Sequence, residues 1–389
     1  MTRRSPLTSK LEGFGTTIFS EMTALAVEHD AVNLGQGFPD EDGPERMLDV
    51  ARRAITDGHN QYAPGPGIPA LRQAIADHAH RFHGLTYDPD DEVTVTFGAT
   101  EAVTASILAI CDPGDEVMVI EPSYDVYDAI IALADARRVA VPLTPPDFRL
   151  DLDRLRAAVG AATRAIVINS PHNPTGSALS DEELDAVAEL CVEHDVIAIC
   201  DEVYEHLSFD GPHRTIASRS AMRDRTIRIS SAAKTFAVTG WKIGWACAAP
   251  PLTAAVRTVK QYASFAGGTP FQHAVAFALG LDDDYFDRYR QDYRERRDRL
   301  VAGLREAGVD PFVSQGTFYV AADLAPLGAT DGLAFCRELP ARAGVVGVPV
   351  GVFCEDPGPL ASWVRFATCK HPDVLDEGIA RLAKLAAGS

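Results

Sequence analysis

Lys234 lies within residues 229–245, among small and apolar neighbours rather than in a charged run. A lysine held where water is partly excluded has a lowered pKa, and its neutral amine can condense with an aldehyde. Most lysines are surface residues, so a covalent role for Lys234 depends on what surrounds it. Ser231 and Lys242 bracket it, and both can reach a phosphate. Asp201 follows the apolar run 196–200. A carboxylate at a strand end, facing a crevice, can pair with a protonated pyridine nitrogen and keep that ring an electron sink. The competing reading makes Asp201 or Glu202 a helix N-cap. Tyr204, three residues on, can hydrogen-bond a ring phenolate.

Two further loops carry candidate ligands. Gly98-Ala99-Thr100 follows Val93–Phe97 and precedes a helix expected from Glu101; small residues there expose N–H groups which, with the helix dipole, suit an anion. A simple tight turn is the alternative. The loop Asn169-Ser170-Pro171-His172-Asn173-Pro174-Thr175-Gly176 offers two neutral amide side chains. An Asn-Pro turn explains Asn169 as well as ligation does, and Asn173 less well.

Short runs rich in Val and Ile, at 93–97, 116–120, 138–141, 165–168, 196–200 and 226–229, alternate with helical patterns at 101–110, 123–134, 152–159 and 181–194. That alternation predicts an α/β unit with a mostly parallel sheet covered on both faces. In such sheets ligands bind beyond the carboxyl ends of the strands, so the loops named above should converge on one crevice. Ser180 with Glu183 reads as a capping box opening the helix at Asp181. Beyond residue 282 the pattern changes to a long charged helix at 283–307, short strands near 316–322 and 363–369, and a helix from Pro372. We therefore expect a large domain at 45–282 and a smaller α+β domain formed by 1–44 with 283–389.

The chain has 389 residues, a formal net charge of −19 and a hydrophobic share of 46%. The acidic field repels phosphate backbones and anionic lipid, which argues against nucleic acid and membrane partners. Seven cysteines without a CxxC pair read as buried thiols in a reducing compartment. No apolar signal core follows the basic start, and charge-free runs such as 244–256 fall short of about 20 apolar residues. A cytoplasmic protein is expected. Three motifs are set aside. Residues 65–70 carry the letters of a dinucleotide fingerprint but follow no strand and read as a loop preceding a helix at Leu71. His78, His80 and His83 lack acidic partners at ligand spacing and read as a solvated helix face, with no metal. Residues 289–299 read as an exposed helix with i,i+4 pairs.

Asn173-Pro174-x-Gly176, Asp201-x-x-Tyr204 and Ser231-x-x-Lys234 with Lys242 occur together in order. In that order and spacing the chain resembles the fold type I, pyridoxal phosphate-dependent aminotransferases of class I/II over nearly its whole length. Residues 33–40, 60–62 and 168–173 are most similar to the branch holding kynurenine aminotransferase, glutamine transaminase K, methionine aminotransferase and proteins assigned as N-succinyldiaminopimelate aminotransferases. The resemblance implies a seven-stranded, mostly parallel large-domain sheet and a homodimer with shared active sites. It also implies pyridoxal 5'-phosphate bound by Gly98, Ala99, Thr100, Tyr124, Asn173, Asp201, Tyr204, Ser231, Lys234 and Lys242, with Tyr62 reaching the neighbouring subunit's phosphate. Gly37, Asn173 and Arg365 would take the substrate carboxylate, which a planar guanidinium grips with two parallel bonds. Thr100 departs from the animal members of the branch, which carry tyrosine there.

The implied reaction moves an amino group from an amino acid to a 2-oxo acid such as 2-oxoglutarate, with Lys234 as general base and Asp201 holding the ring protonated. The donor would be bulky, aromatic or sulfur-containing, or N-succinyldiaminopimelate; Phe14, Phe38, Tyr124, Phe265 and Phe271 are expected near it. A cysteine-conjugate carbon–sulfur β-lyase is the rival enzyme. A ligand-sensing regulator on the same fold would need a DNA-binding module, for which the roughly 30 residues before Asn33 are too few.

Overall fold

The computed structural model describes residues 6–387. Its main layer is an eight-stranded sheet built from β1 (Val93–Phe97), β2 (Glu116–Glu121), β3 (Arg137–Thr144), β4 (Arg149–Leu150), β5 (Thr163–Asn169), β6 (Ile197–Asp201), β7 (Thr226–Ser231) and β8 (Ile243–Cys247). The spatial order is β1-β8-β7-β6-β5-β2-β3-β4. The pairs β2/β3, β2/β5, β5/β6 and β6/β7 are parallel, while β8 runs against both neighbours and β4 against β3. The two-residue β4 is the strand beyond the seven expected; it is too short to leave a signal in the sequence.

Alternation along the strands shows why these runs read as continuously apolar. Ile166, Ile168, Ala198 and Cys200 face one buried cluster. Ala165, Val167, Ile197, Ile199, Ile227 and Ile229 face another. Both faces exclude water, and each fully buried Val or Ile contributes about 1.5–3 kcal/mol. Helices cover the faces, among them α1 (Pro69–His83), which precedes β1, and the connecting helices α2 (Gly98–Ile110) and α3 (Asp125–Leu133). The Ser180–Glu183 capping box is formed in full.

The second region holds a three-stranded antiparallel sheet of β9 (Tyr319–Asp323), β10 (Val348–Pro349) and β11 (Trp363–Ala367), in the order β9-β11-β10. Val32–Asn33 pairs in parallel with Val345–Val346, so the N-terminal arm joins this region. The charged helix α4 (Asp283–Glu306) runs alongside.

Several sequence expectations change. Helix α2 starts at Gly98, three residues before Glu101, because Gly98 takes a φ of 68° and the Glu101 carboxylate accepts the Phe97 N–H at 2.7 Å. Helix α1 starts at Pro69, so the end of the 65–70 loop is helical. Asp201 ends β6 and no helix follows it, which removes the N-cap alternative. The histidine reading is corrected as well: His78 and the side chain of His83 are buried, and only His80 faces solvent. They meet Glu205 and His206, so acidic partners do exist, supplied from across the fold. His78, Glu205 and His206 present donor atoms within 4.8 Å of one another, but the Glu205 oxygens already serve Arg228, His83 and Ser230. A cation there would press against the Arg228 guanidinium. The 289–299 stretch is not wholly exposed either, since Tyr293, Arg296 and Arg297 are buried on one face of α4.

Candidate active site

The carboxyl ends of β5, β6 and β7 stop side by side, with Asn169 opposite Asp201 and Asp201 opposite Ile229 in register, and that of β1 lies at the same edge beyond β8. The loops leaving them line one cavity of about 330 Å³. Gly37, Gly98, Ala99, Thr100, Tyr124, Asn173, Asp201, Tyr204, Ser231, Lys234 and Lys242 all contribute to its wall. Two expected residues do not. Arg365 lies behind Tyr319, and Tyr62 is 81% exposed outside the cavity.

At one end, α2 points its first turn into the cavity. A Cβ on Gly98 would stand 3.5 Å from Lys242 Nζ, so an ammonium sits beside the positive end of a helix. Those two positive charges repel unless an anion lies between them, which is the requirement of a bound phosphate. Lys242 is held there in a left-handed backbone conformation, φ 56°, at a cost of order 1–3 kcal/mol for a non-glycine residue. The close approach of β8 leaves no room for a side chain: a Cβ on Gly244 would fall 2.5 Å from the Gly98 carbonyl carbon and 2.7 Å from the Ala99 nitrogen. Gly244→Ala should therefore push the α2 turn out of place and weaken pyridoxal phosphate binding by about 100-fold; cofactor titration by absorbance measures it, and wild-type affinity would contradict the cradle. Ser231 accepts the Ala233 N–H at 3.1 Å and donates to the Ile243 carbonyl at 3.2 Å, which fixes its hydroxyl at the same edge.

Lys234 follows within the next turn, its amine over the Tyr204 and Phe318 rings at 5.9 and 5.4 Å. Burial lowers its pKa below the usual lysine range, with Arg365 and Lys242 adding to the effect and Asp201 opposing it. The Tyr289 hydroxyl donates to the Lys234 carbonyl at 2.5 Å. Asp201 is buried and pushed upward by that burial; hydrogen bonds from Tyr127 and Val203 and the charge on Lys234 pull it back. The Tyr127 hydroxyl donates to Asp201 Oδ2 at 2.6 Å. Asn169 donates to the Asp201 carbonyl at 2.9 Å and accepts the Asn173 N–H at 2.7 Å, so it ties two site loops together rather than facing a ligand alone.

At the other end, Arg365 donates to Asn173 Oδ1 at 2.7 Å and to the Gly35 carbonyl at 2.9 Å, with its guanidinium stacked 4.0 Å over the Tyr319 ring. Its Nε is buried and has no hydrogen-bond partner among the described residues. A buried guanidinium with a free donor suits a carboxylate. A Cβ on Gly37 would land 1.7 Å from the Tyr319 hydroxyl, so glycine is required there.

Of the aromatic residues expected near the substrate, Phe38 and Tyr124 line the cavity. Phe14 lines a separate recess, Phe271 stacks on Trp241 at 4.7 Å, and Phe265 lies exposed against Tyr62. Phe19, Tyr127 and Tyr319 were missed and line the cavity. Tyr127 could have been found, because it sits in the first turn of α3, three residues after the N-cap Tyr124; Tyr319 arrives from β9 and left no local signal.

Comparison with known proteins agrees with this geometry. The family profile described as aminotransferase class I and II matches residues 29–382. A Mycobacterium tuberculosis protein named probable N-succinyldiaminopimelate aminotransferase is 52% identical, with 97% of this chain and 98% of that protein covered. The solved structure of the M. tuberculosis N-succinyldiaminopimelate aminotransferase superimposes with a TM-score of 0.96 at 52% identity, covering 97% of this chain and 100% of that one. The Escherichia coli methionine aminotransferase is 38% identical over 97% of this chain and 98% of its own length.

Proposed function

This chain belongs to the class I and II aminotransferases, pyridoxal phosphate-dependent enzymes of fold type I, and from that premise we propose that Lys234 is its catalytic amine and a long-chain amino acid such as N-succinyldiaminopimelate its donor. The observation carrying the site assignment is the convergence of the Lys234 amine and the Asp201 carboxylate on one cavity. The donor assignment rests on 52% identity over nearly the full length to the M. tuberculosis relative. The relatives named above are aminotransferases, so amino transfer rather than carbon–sulfur cleavage is the reading we keep.

When bound, pyridoxal phosphate supplies an aldehyde that takes up the amino group and a ring that accepts electron density. The residues of this chain do the rest. The first turn of α2 with Ser231 and Lys242 holds the phosphate, and Tyr124 packs beside the ring. Asp201 keeps a negative charge where a pyridine nitrogen needs one. Arg365 and Asn173 fix the substrate carboxylate, and with it the Cα–H bond. Lys234, its pKa lowered by burial, is neutral more often than a surface lysine and so can take the proton from the substrate Cα and deliver it to the cofactor carbon on the far side of the amino nitrogen. The Tyr204 and Tyr319 rings meet edge-on beside it, with centroids 6.1 Å apart. Phe19 and Phe38 add apolar surface to the cavity wall.

We also infer a homodimer in which Tyr62 serves the neighbouring site. In support, Tyr62 and Tyr262 are 81% and 83% exposed and Tyr62 packs edge-on against Phe265. All seven cysteines are free thiols, which supports a cytoplasmic setting. Among the described residues no helix is long and apolar enough to cross a membrane.

The test is a panel of N-succinyldiaminopimelate, methionine and kynurenine with 2-oxoglutarate as acceptor. The first should give the highest kcat/KM; methionine equalling or exceeding it would replace the donor assignment. Arg365→Lys, which removes the planar fork, should raise KM for every donor about tenfold and change kcat less. An unchanged KM would remove Arg365 from carboxylate binding.

A further inference from the structure

We propose that Tyr127 is a positioning residue for amino transfer: by donating its hydroxyl to Asp201 Oδ2, it keeps that carboxylate ionised and in the rotamer that serves the cofactor ring. The inference rests on the pyridoxal phosphate reading above and adds a residue to it.

Tyr127 is 3% exposed, so its hydroxyl has no recourse to bulk water. The 2.6 Å bond to Asp201 is short for a phenol donor, as expected when the acceptor is charged. Asp201 needs such a donor. It is buried at the end of β6 and has Glu202, a second carboxylate, as its chain neighbour. The groups acting on it are Tyr127 from α3, the Val203 N–H, the Lys234 amine and Glu202, with the Tyr124 and Tyr204 phenols nearby. The Val203 contact is long, 3.4 Å, against 2.6 Å for Tyr127. Of the two hydrogen bonds on the carboxylate, the Tyr127 one is therefore the stronger.

Tyr127 is itself held. The Tyr124 ring packs edge-on against it, with centroids 5.7 Å apart at 89°. The next residue, Asp128, accepts from Arg138 Nε at 2.7 Å, and Arg138 also pairs with Glu121 at the end of β2. The first turn of α3 is thus pinned to the sheet, and the Tyr127 backbone cannot shift without breaking an ion pair. Because a hydrogen bond to a charged acceptor is stronger than one to a neutral acceptor, the donated bond favours the carboxylate over the acid. Its removal raises the pH at which Asp201 takes up a proton.

The experiment compares holoenzymes of wild type, Tyr127→Phe, Asp201→Asn and the double variant. Tyr127→Phe deletes one oxygen and keeps the ring, so the fold is retained; near-UV circular dichroism checks it. Expected are an acid limb of the kcat profile moved up by about one pH unit, pyridoxal phosphate affinity weakened about tenfold, and KM for the amino donor within twofold. In the Asp201→Asn background, where there is no charge to stabilise, Tyr127→Phe should change cofactor affinity by less than twofold. A purely structural role predicts the opposite: an unmoved acid limb and equal effects of Tyr127→Phe in both backgrounds, either of which overturns the proposal. Wild-type protein that fails to take up pyridoxal phosphate at all would instead overturn the reading on which it rests.

Discussion

Replacing Lys234 by alanine is expected to lower kcat by at least about 10⁴-fold, the upper end of what a positioned general acid–base contributes. The rest of the site should survive. The phosphate end, made by α2, Ser231 and Lys242, does not involve the Lys234 side chain, so cofactor affinity should stay within about tenfold of wild type. Stability should not fall either, because the substitution removes a desolvated amine that Asp201 only partly compensates. That combination separates a lost catalyst from a damaged fold. Borohydride treatment of the wild type should fix pyridoxal phosphate to the peptide containing Lys234, and the variant should remain unmodified at every lysine. Turnover within tenfold of wild type, or an adduct mapping to Lys242 or Lys260, would remove Lys234 from its assigned place.

Most of the residues legible from local pattern share one property: they sit in the first few positions after a strand, whereas Lys242, just before β8, is legible only beside Lys234, and Arg365, within β11, only through the family resemblance. Gly98–Thr100, Asn173, Asp201–Tyr204 and Ser231–Lys234 leave the carboxyl ends of β1, β5, β6 and β7; parallel register joins the last three, and the antiparallel β8 sets β1 in the same direction beyond them. Local sequence fixes a strand end, and the topology does the rest. What stayed hidden depends on contacts between distant segments. Tyr319 reaches the cavity from β9, and Tyr289 holds the Lys234 carbonyl from a helix whose charges read as fully exposed. The histidines of α1 show the same limit. His78 and His83 find their partners 128 and 122 residues away in sequence, so no local window could have shown them to be buried.

That buried network makes the second large prediction. Arg228 on β7 lies opposite Cys200 on β6, donates to Glu202 at 2.5 Å and pairs also with Glu205. Ser230 and His83 complete Glu205, His213 lies 3.2 Å from Glu202, and His78 shares a hydrogen bond with His206. Burial opposes charge on both carboxylates, yet Arg228 together with the histidines beside them (His213 and His83 at Glu202, His83 and His78 at Glu205) outweighs it, bringing Glu202 down to about 2 and Glu205 well below its ordinary value. Arg228→Met would leave two buried carboxylates sharing no guanidinium, at a cost of about 3–5 kcal/mol in urea unfolding. The triple variant Arg228→Met, Glu202→Gln, Glu205→Gln should recover most of that loss, because it removes the uncompensated charges. Since Glu202 adjoins Asp201, the single variant should also weaken pyridoxal phosphate binding before it unfolds. Acid acts on the same network. Burial holds His78 near 3 and lowers His83 and His206 below the ordinary histidine value. As pH falls through about 6.5, the unfolded chain therefore binds protons that the folded chain refuses, and stability drops by up to about 1.4 kcal/mol per pH unit for each imidazole. Below about 4.5 the depressed carboxylates add to the loss in the same direction. Unfolding midpoints should be flat above pH 7 and fall steeply towards pH 5; a profile that stays level to pH 5 would mean these imidazoles are not held neutral by the fold.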